Sequence, residues 1–209
     1  NLGVLPEGAM EYLADFSDRY TPDQVIQYLD NARPLKVLLV GETIIDEYIY
    51  CQSIGKSGKE PVLATLYQSS EKFAGGIIAI ANHISAFCER VETLTFLGGA
   101  SSQEDFVREK MASNVGANFL YLAGSAPTIV KKRFLESYPF QKLFELYEMD
   151  EDGNGPDQNR SFCEKLKSIL PDFDVVIVTD YGHGMITPEA VEVLCSQAKF
   201  LVVNTQINA

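Results

Sequence analysis

The sequence predicts an α/β protein: a mostly parallel sheet with helices on both faces and a small β lid. Short, continuous apolar runs such as residues 35–40 and 174–179 are typical of strands that are buried on both faces. These runs alternate with segments whose apolar residues recur at helical spacing, which is the pattern of a layered α/β domain. Two shorter apolar segments around the polar loop 53–59 follow the first core strand and indicate an excursion from the main sheet, which is called the lid below.

The first 34 residues predict a helical leader or linker. A first helix is expected over Glu7–Tyr20, where the apolar positions form a partial stripe. Thr21-Pro22-Asp23-Gln24 is a stronger signal, because Thr21 and Gln24 complete a capping box and proline suits a first helical turn. A second helix is therefore predicted over residues 22–32.

The remaining elements follow in alternation from residue 35. The predicted lid strands are residues 44–51 and 61–67. The other predicted strands are 35–40, 91–97, 118–122, 128–135, 142–149, 174–179 and 200–204, with a turn near Tyr138-Pro139 between the fourth and fifth of them. The predicted helices are 75–89, 102–113, 159–170 and 188–198.

Charge and cysteine content exclude several classes of function. The chain has 209 residues, a formal charge of −12 and a pI near 4.6, which argues against binding to nucleic acid or to an anionic membrane surface. Its four scattered cysteines form no metal-binding pattern, so we expect no metal site in this chain and a reducing, cytoplasmic location. No apolar run approaches a membrane span and no signal peptide is evident. Both ends look cut, so we expect the chain to be a piece of a longer polypeptide.

Two acidic residues follow predicted core strands. Asp46 comes shortly after the first strand, and Asp180 ends the strand 174–179. Ligands of open α/β sheets bind beyond the carboxyl ends of the strands, where a carboxylate can accept hydrogen bonds from sugar hydroxyls. The alternative is that each residue caps a turn or a helix.

Paired glycines and a basic strand add two further candidates. Gly75-Gly76 would let a ligand approach the backbone closely at the start of a helix, although the pair can also form a simple turn. Lys131 and Arg133 share one face of a predicted strand and suit an anionic group such as a sugar phosphate, or else form a solvated face. His183 lies between two glycines after Asp180. Neither a dinucleotide fingerprint nor a P-loop is present.

Five stretches, in this order, resemble the ribokinase-like (PfkB) carbohydrate kinases, and most closely the heptose-phosphate kinase domain of bifunctional ADP-heptose synthesis proteins. Val37–Tyr48 resembles that family's opening strand with its substrate aspartate, and Glu60-Pro61-Val62 resembles its lid segment. Phe73-Ala74-Gly75-Gly76 matches its sugar-binding glycine pair. Pro127–Arg133 resembles its basic strand, and Val178–Gly184 resembles its Asp-Tyr-x-Lys-Gly turn. The likeness covers roughly residues 35–209, which would be the N-terminal part of such a kinase domain.

The resemblance implies an ATP-dependent kinase that phosphorylates a sugar or sugar phosphate such as a heptose 7-phosphate, with ATP and Mg²⁺ as cofactors. The residues implied are Asp46, Gly75, Gly76 and Asp180 for the sugar, Lys131 and Arg133 for its phosphate, and Asn204 and His183 for the nucleotide. The lid strands would also form a homodimer surface.

The sequence departs from the family pattern at three positions. Ala79 stands where the family has asparagine, His183 replaces the lysine of the turn, and Glu42 replaces aspartate after the opening strand. The Gly-Ala-Gly-Asp motif with the catalytic base is absent, so we expect that base beyond Ala209 and no phosphoryl transfer by these 209 residues alone. The alternative is a non-catalytic sugar- or nucleotide-binding or assembly module with the same fold; an oxidoreductase is disfavoured by the missing fingerprint.

Overall fold

The protein consists of a central parallel sheet and a second, smaller sheet. The computed structural model describes residue 6, residues 8–150, residue 153 and residues 155–206. The central sheet has five parallel strands in the order β5-β4-β1-β8-β9. These strands are β1 (Lys36–Gly41), β4 (Arg90–Leu97), β5 (Val115–Tyr121), β8 (Val175–Asp180) and β9 (Leu201–Thr205).

Helices cover both faces of the central sheet. They are α3 (Ile77–Ile84) and α4 (Glu104–Lys110) on one face, and α5 (Pro156–Ile169) and α6 (Pro188–Gln197) on the other. Strand β1 lies between these two layers. Leu38 and Val40 pack on the α5–α6 side, whereas Val37 and Leu39 pack on the α3–α4 side. This double burial explains why the strand is a continuous apolar run.

The lid is a four-stranded sheet in the order β3-β2-β6-β7. Its strands are β2 (Thr43–Lys56), β3 (Leu63–Gly76), β6 (Ile129–Glu136) and β7 (Gln141–Glu148). Strands β2 and β6 pair in parallel, and each pairs antiparallel with its outer neighbour. Ile45 and Val130 are buried in the core on the α3–α4 side, so the base of the lid is packed against the main domain.

The predicted α/β class, with helices on both faces and a β lid, is confirmed. The lid strands are longer than predicted, and β6 and β7 belong to the lid as well. Gly75 and Gly76 were expected to begin the helix, but they are the last residues of β3, and α3 begins at Ile77. The pairing of Gly75 with Ile44 and of Gly76 with Thr43 keeps β3 hydrogen-bonded to β2 up to that point. The helix also ends earlier than predicted, at Ile84.

Two leader helices precede the central sheet, α1 (Ala9–Arg19) and α2 (Pro22–Ala32). The predicted capping box of α2 is present, with both hydrogen bonds between Thr21 and Gln24. Neither helix buries a residue. The expected start of the first helix, Glu7, lies outside the described residues.

Across the described part of the chain, no helix combines the length and the apolar character that crossing a membrane requires. All four cysteines are free thiols; Cys51, Cys88 and Cys163 are buried and Cys195 is exposed.

The two-sided burial of β1 makes a stability prediction. Replacing Leu38, whose exposed fraction is 0%, by alanine should lower the free energy of unfolding by about 2–5 kcal/mol, because it removes packing and leaves a cavity. The matched control is Leu29→Ala on α2, where the side chain is 50% exposed and the loss should stay near 0.5 kcal/mol. Urea unfolding of both variants measures the difference; equal losses would contradict this packing.

Candidate functional site

An open cleft lies between the lid and the carboxyl ends of β8 and β9. Its volume is about 320 Å³, at the lower end of the range of small-molecule sites. Lid residues and residues from the edge of the central sheet both line it: Ile44, Asp46, Gly76, Lys131, Arg133, Glu145, Tyr147, Tyr181 and Gln206. We call it the lid cleft. Four of the predicted site residues therefore meet there, although they come from strands that are far apart in sequence.

One face of the lid carries the polar side chains of the cleft. Asp46 on β2 stands opposite Lys131 on β6, which stands opposite Tyr147 on β7. Residues directly opposite each other on neighbouring strands share a face. The next row on that face holds Tyr48, Arg133 and Glu145. Asp46 accepts a hydrogen bond from the guanidinium of Arg133, and both side chains are 23% exposed.

Gly75 is shaped to this arrangement. A methyl group at Gly75 would overlap the Oδ2 atom of Asp46, so only glycine leaves room for that carboxylate. Gly76 has a positive φ of 55°, which glycine adopts without strain. It also passes close to the Glu42 carbonyl, which accepts a hydrogen bond of 2.9 Å from the N–H of Ile77. The glycine pair thus lets β3 turn directly into α3.

The carboxylate of Glu42 holds the turn after β8. Its Oε2 accepts a 2.9 Å hydrogen bond from the N–H of Tyr181, and its Oε1 a 3.3 Å hydrogen bond from the N–H of His183. Gly182 and Gly184 have positive φ angles that allow the backbone to fold around the carboxylate. Glu42 is only 4% exposed, and burial raises its pKa above the ordinary value, with Asp180 adding to the rise and the two N–H donors opposing it.

Asp180 is bound within the same turn. Its carboxylate accepts hydrogen bonds from the N–H of Gly182 at 2.9 Å and from the hydroxyl of Thr205 at 3.0 Å. Its carbonyl accepts one from Gln206. Asp180 therefore makes the turn-capping contacts that the sequence left open as an alternative, and its neighbour Tyr181 is the residue that lines the lid cleft. A contact between Asp180 and a sugar stays a prediction.

The two predicted nucleotide residues lie away from the lining of the lid cleft. The exposed Asn204 is paired with Thr179 near the carboxyl end of β9. His183 lines a second, small cavity of about 40 Å³, together with Glu42, Thr43, Thr128 and Met185 among others. Its Nε2 is buried and has no hydrogen-bond partner among the described residues. Burial, and secondarily the charge of Lys131, lowers the pKa of His183, while Asp180 opposes the shift.

Several residues of the site were missed from the sequence. Glu42 was noted only as a departure from a family pattern, yet it anchors the turn. Glu145 and Tyr147 on β7 were not singled out, although their spacing of two places them on one face of a predicted strand. Their position opposite Arg133 and Lys131 depends on the register of the β6–β7 pair, which the sequence did not fix.

The close contact between Gly75 and Asp46 makes a second prediction. Gly75→Ala should push the Asp46 carboxylate away from Arg133 and lower the free energy of unfolding by about 1–3 kcal/mol, the scale of a hydrogen bond to a charged group. The matched control is Gly58→Ala in the lid loop, where a methyl group meets nothing within 4 Å. Chemical unfolding and a crystal structure of each variant measure the effect; an unmoved Asp46 in Gly75→Ala would refute it.

The burial of Glu42 makes a third prediction, on pH. Because the pKa of Glu42 is higher in the folded than in the unfolded protein, its contribution to stability is complete below the unfolded pKa. That contribution is lost as the pH rises through the folded pKa. Glu42→Gln should remove this part of the slope, and add a loss that does not depend on pH because one N–H loses its carboxylate acceptor.

Urea unfolding of the wild type and of Glu42→Gln between about pH 4 and 7 isolates the slope, because the other carboxyl groups are common to both proteins. Parallel stability curves for the two proteins would show that Glu42 does not titrate as its burial requires.

Comparison with known proteins places the fold. No model of a known protein family matches the chain. The bifunctional protein HldE of Haemophilus influenzae is 29% identical over 160 residues, which are 76% of this chain and 32% of that protein. HldE of Citrifermentans bemidjiense is 22% identical over 178 residues, 85% of this chain and 36% of that protein. The chain spans about a third of the length of these curated relatives.

Solved structures agree at the level of the fold. Phosphofructokinase-2 from Escherichia coli in complex with fructose-6-phosphate superposes with a TM-score of 0.61 and 12% identity, over 84% of this chain and 56% of that chain. The tetrameric inhibited form of the same enzyme gives a TM-score of 0.56 and 12% identity, over 82% and 55% of the two chains. The chain therefore has the fold of the ribokinase-like (PfkB) carbohydrate kinases, as the sequence motifs predicted, and is related in sequence to the bifunctional HldE proteins.

Proposed function

We propose that this chain forms the sugar-binding part of an ATP-dependent carbohydrate kinase whose substrate is a sugar phosphate such as a heptose 7-phosphate. Asp46 would accept a hydrogen bond from a sugar hydroxyl, and the glycine pair would let the sugar lie against the backbone. The basic face of β6 would hold the phosphate that the substrate already carries.

The observation that carries this proposal is the lid cleft. A carboxylate, a glycine backbone and two cations from three separate regions of the sequence line one cleft of suitable size: Asp46, Gly76, Lys131 and Arg133. This is a donor and acceptor set suited to a phosphorylated polyol, because carboxylates bind hydroxyls and cations bind phosphate. The heptose is proposed from the similarity to HldE; the related structure with fructose-6-phosphate is an alternative guide to the sugar.

The cofactors are proposed from the same kinship. ATP would supply the phosphoryl group, with Mg²⁺ balancing its charge. Within the described ranges, no group of three or more His, Cys, Asp or Glu side chains is arranged to hold a metal ion. Asn204 and His183 remain the proposed nucleotide contacts.

The lid also offers a surface for a homodimer, which we propose as its second role. Large apolar side chains on the lid are exposed, among them Leu66, Tyr67, Phe144 and Leu146. Exposed apolar groups of this kind are common at interfaces between subunits.

A second candidate function is a sugar-binding module without catalysis. It is favoured by Ala79, which is exposed in the first helical turn after the glycine pair, where the kinase family has an asparagine. A methyl group there cannot donate or accept a hydrogen bond, so one polar contact of the family pattern is absent.

Turnover and binding by the full-length protein separate the two candidates. ATP consumption is measured with a panel of sugars and sugar phosphates that includes a heptose 7-phosphate and fructose 6-phosphate, and binding is measured by calorimetry. Phosphorylation of one panel member supports the kinase. Binding without turnover supports the module, and neither binding nor turnover would refute both.

The fourth prediction concerns Asp46. Asp46→Asn should weaken binding of the sugar phosphate about 10- to 150-fold, because a hydrogen bond to a charged acceptor contributes about 1.5–3 kcal/mol. The matched control is Asp18→Asn on the exposed surface of α1, which should leave the affinity unchanged. Calorimetry on both variants, with thermal unfolding to verify folding, measures the difference; unchanged affinity in Asp46→Asn would remove Asp46 from the site.

A further inference from the structure

The two basic residues that face the lid cleft from β6 differ in how their charges are used. The guanidinium of Arg133 donates to the Asp46 carboxylate and forms a 3.3 Å ion pair from its Nε to Glu145. Its carbon centre also lies 5.4 Å from the centre of the Tyr48 ring. Arg133 is thus enclosed by two carboxylates and an aromatic ring.

An anion placed at Arg133 would meet both of those carboxylates. Glu145 is itself fixed, since Lys142 lies 2.7 Å from its Oε1 and the Tyr147 hydroxyl donates to its Oε2. The Asp46 carboxylate lies in the space beside Gly75, next to β3. A phosphate could therefore reach Arg133 only by displacing a carboxylate or by lying beside two like charges, which is unfavourable.

Lys131 differs in that no carboxylate of the described residues contacts its ammonium directly, although Asp46 and Glu145 are nearby. Its ammonium lies 5.4 Å from the centre of the Tyr147 ring and makes no hydrogen bond or ion pair with any residue in the described part of the chain. It lines the same cleft, where Tyr181 and Gln206 face it from the edge of the central sheet. Burial and the neighbouring Arg133 lower the pKa of Lys131, whereas Asp46, Glu145 and Glu42 oppose that shift. A partly buried ammonium that touches an aromatic ring but no carboxylate is stabilised by an incoming anion.

We propose that Lys131 alone contacts the phosphate of the sugar-phosphate substrate, and that Arg133 is a positioning residue that fixes the Asp46 carboxylate for a sugar hydroxyl. This inference rests on the proposed function and assigns separate roles to two residues that the sequence grouped together. It also makes Lys131 the residue that selects a phosphorylated sugar over a free one. Arg133 contributes equally to the binding of both sugars, because it acts only by holding the Asp46 carboxylate in position.

The chain provides a matched control on the same strand. Lys132 lies between the two residues but points to the opposite face of the lid, where it pairs with Glu148. Lys132→Met makes the same chemical change as Lys131→Met, the loss of one positive charge. The Lys132 side chain, however, lies outside the cleft.

The test compares two ligands in the full-length protein. Calorimetry gives the dissociation constants of a heptose 7-phosphate and of the unphosphorylated heptose for the wild type and for each variant. Lys131→Met should weaken the binding of the phosphorylated sugar about 10- to 100-fold, which is the scale of a charge-assisted hydrogen bond. The affinity for the free sugar should stay unchanged. Lys131→Arg should retain the preference, and Lys132→Met should match the wild type.

Arg133→Met should instead weaken the binding of both sugars by the same factor. The ratio of their two dissociation constants should therefore stay at the wild-type value. Arg133→Lys keeps the charge but cannot span Asp46 and Glu145 with one planar group, so it should have the same effect. This second variant keeps the test valid if Arg133→Met fails to fold. Circular dichroism verifies that each variant is folded.

The outcomes separate this inference from the proposed function. If the wild type binds neither sugar, the proposed function fails and this inference fails with it. If the wild type binds the phosphorylated sugar but Lys131→Met keeps the preference, or Arg133→Met loses it, the division of roles is wrong while the proposed function stands.

Discussion

The buried Glu42 is the constraint on which the geometry of the site depends. Its carbonyl accepts a hydrogen bond from the first N–H of α3, and its carboxylate accepts hydrogen bonds from two N–H groups of the turn after β8. One residue at the end of β1 therefore fixes the end of β3, the start of α3 and the turn that carries Tyr181. A buried carboxylate is costly, and here backbone N–H donors offset that cost. The positions of α3 and of this turn therefore both depend on Glu42.

The alternation of side chains along the lid strands is a second constraint on the site, separate from Glu42. Side chains alternate between the two faces of its strands, so that Ile45 and Val130 enter the core while Asp46 and Lys131, one residue further on, face the cleft. The same alternation therefore attaches the lid to the domain and presents a polar face to the edge of the central sheet. A shift of one residue in the β2–β6 register would bury charges and expose the apolar base. The side chains that face the cleft and the packing of the lid therefore depend on the same register.

Much of the fold could be predicted from local patterns. Continuous apolar runs indicated the strands of the central sheet, and helical spacing indicated the helices that cover it, because burial on two faces or on one stripe leaves a direct trace in the sequence. Boundaries were less certain at Gly75 and Gly76. Their chemistry suits a helix start as well as a strand end, and pairing with β2 decided between the two. The four-stranded lid could not be derived, since the parallel pairing of β2 with β6 joins residues more than 80 positions apart.

By itself, the sequence determined which side chains could form the site: a carboxylate, a glycine pair and a basic strand face, each placed by a short-range period or by the absence of a side chain. The tertiary structure decided how their charges are paired. Arg133 is bound to Asp46, 87 positions away, and to Glu145 on the next strand, while the ammonium of Lys131 lies over the Tyr147 ring. Two residues that look equivalent on one strand differ because charge pairing depends on the register of neighbouring strands, and register is a property of the assembled sheet.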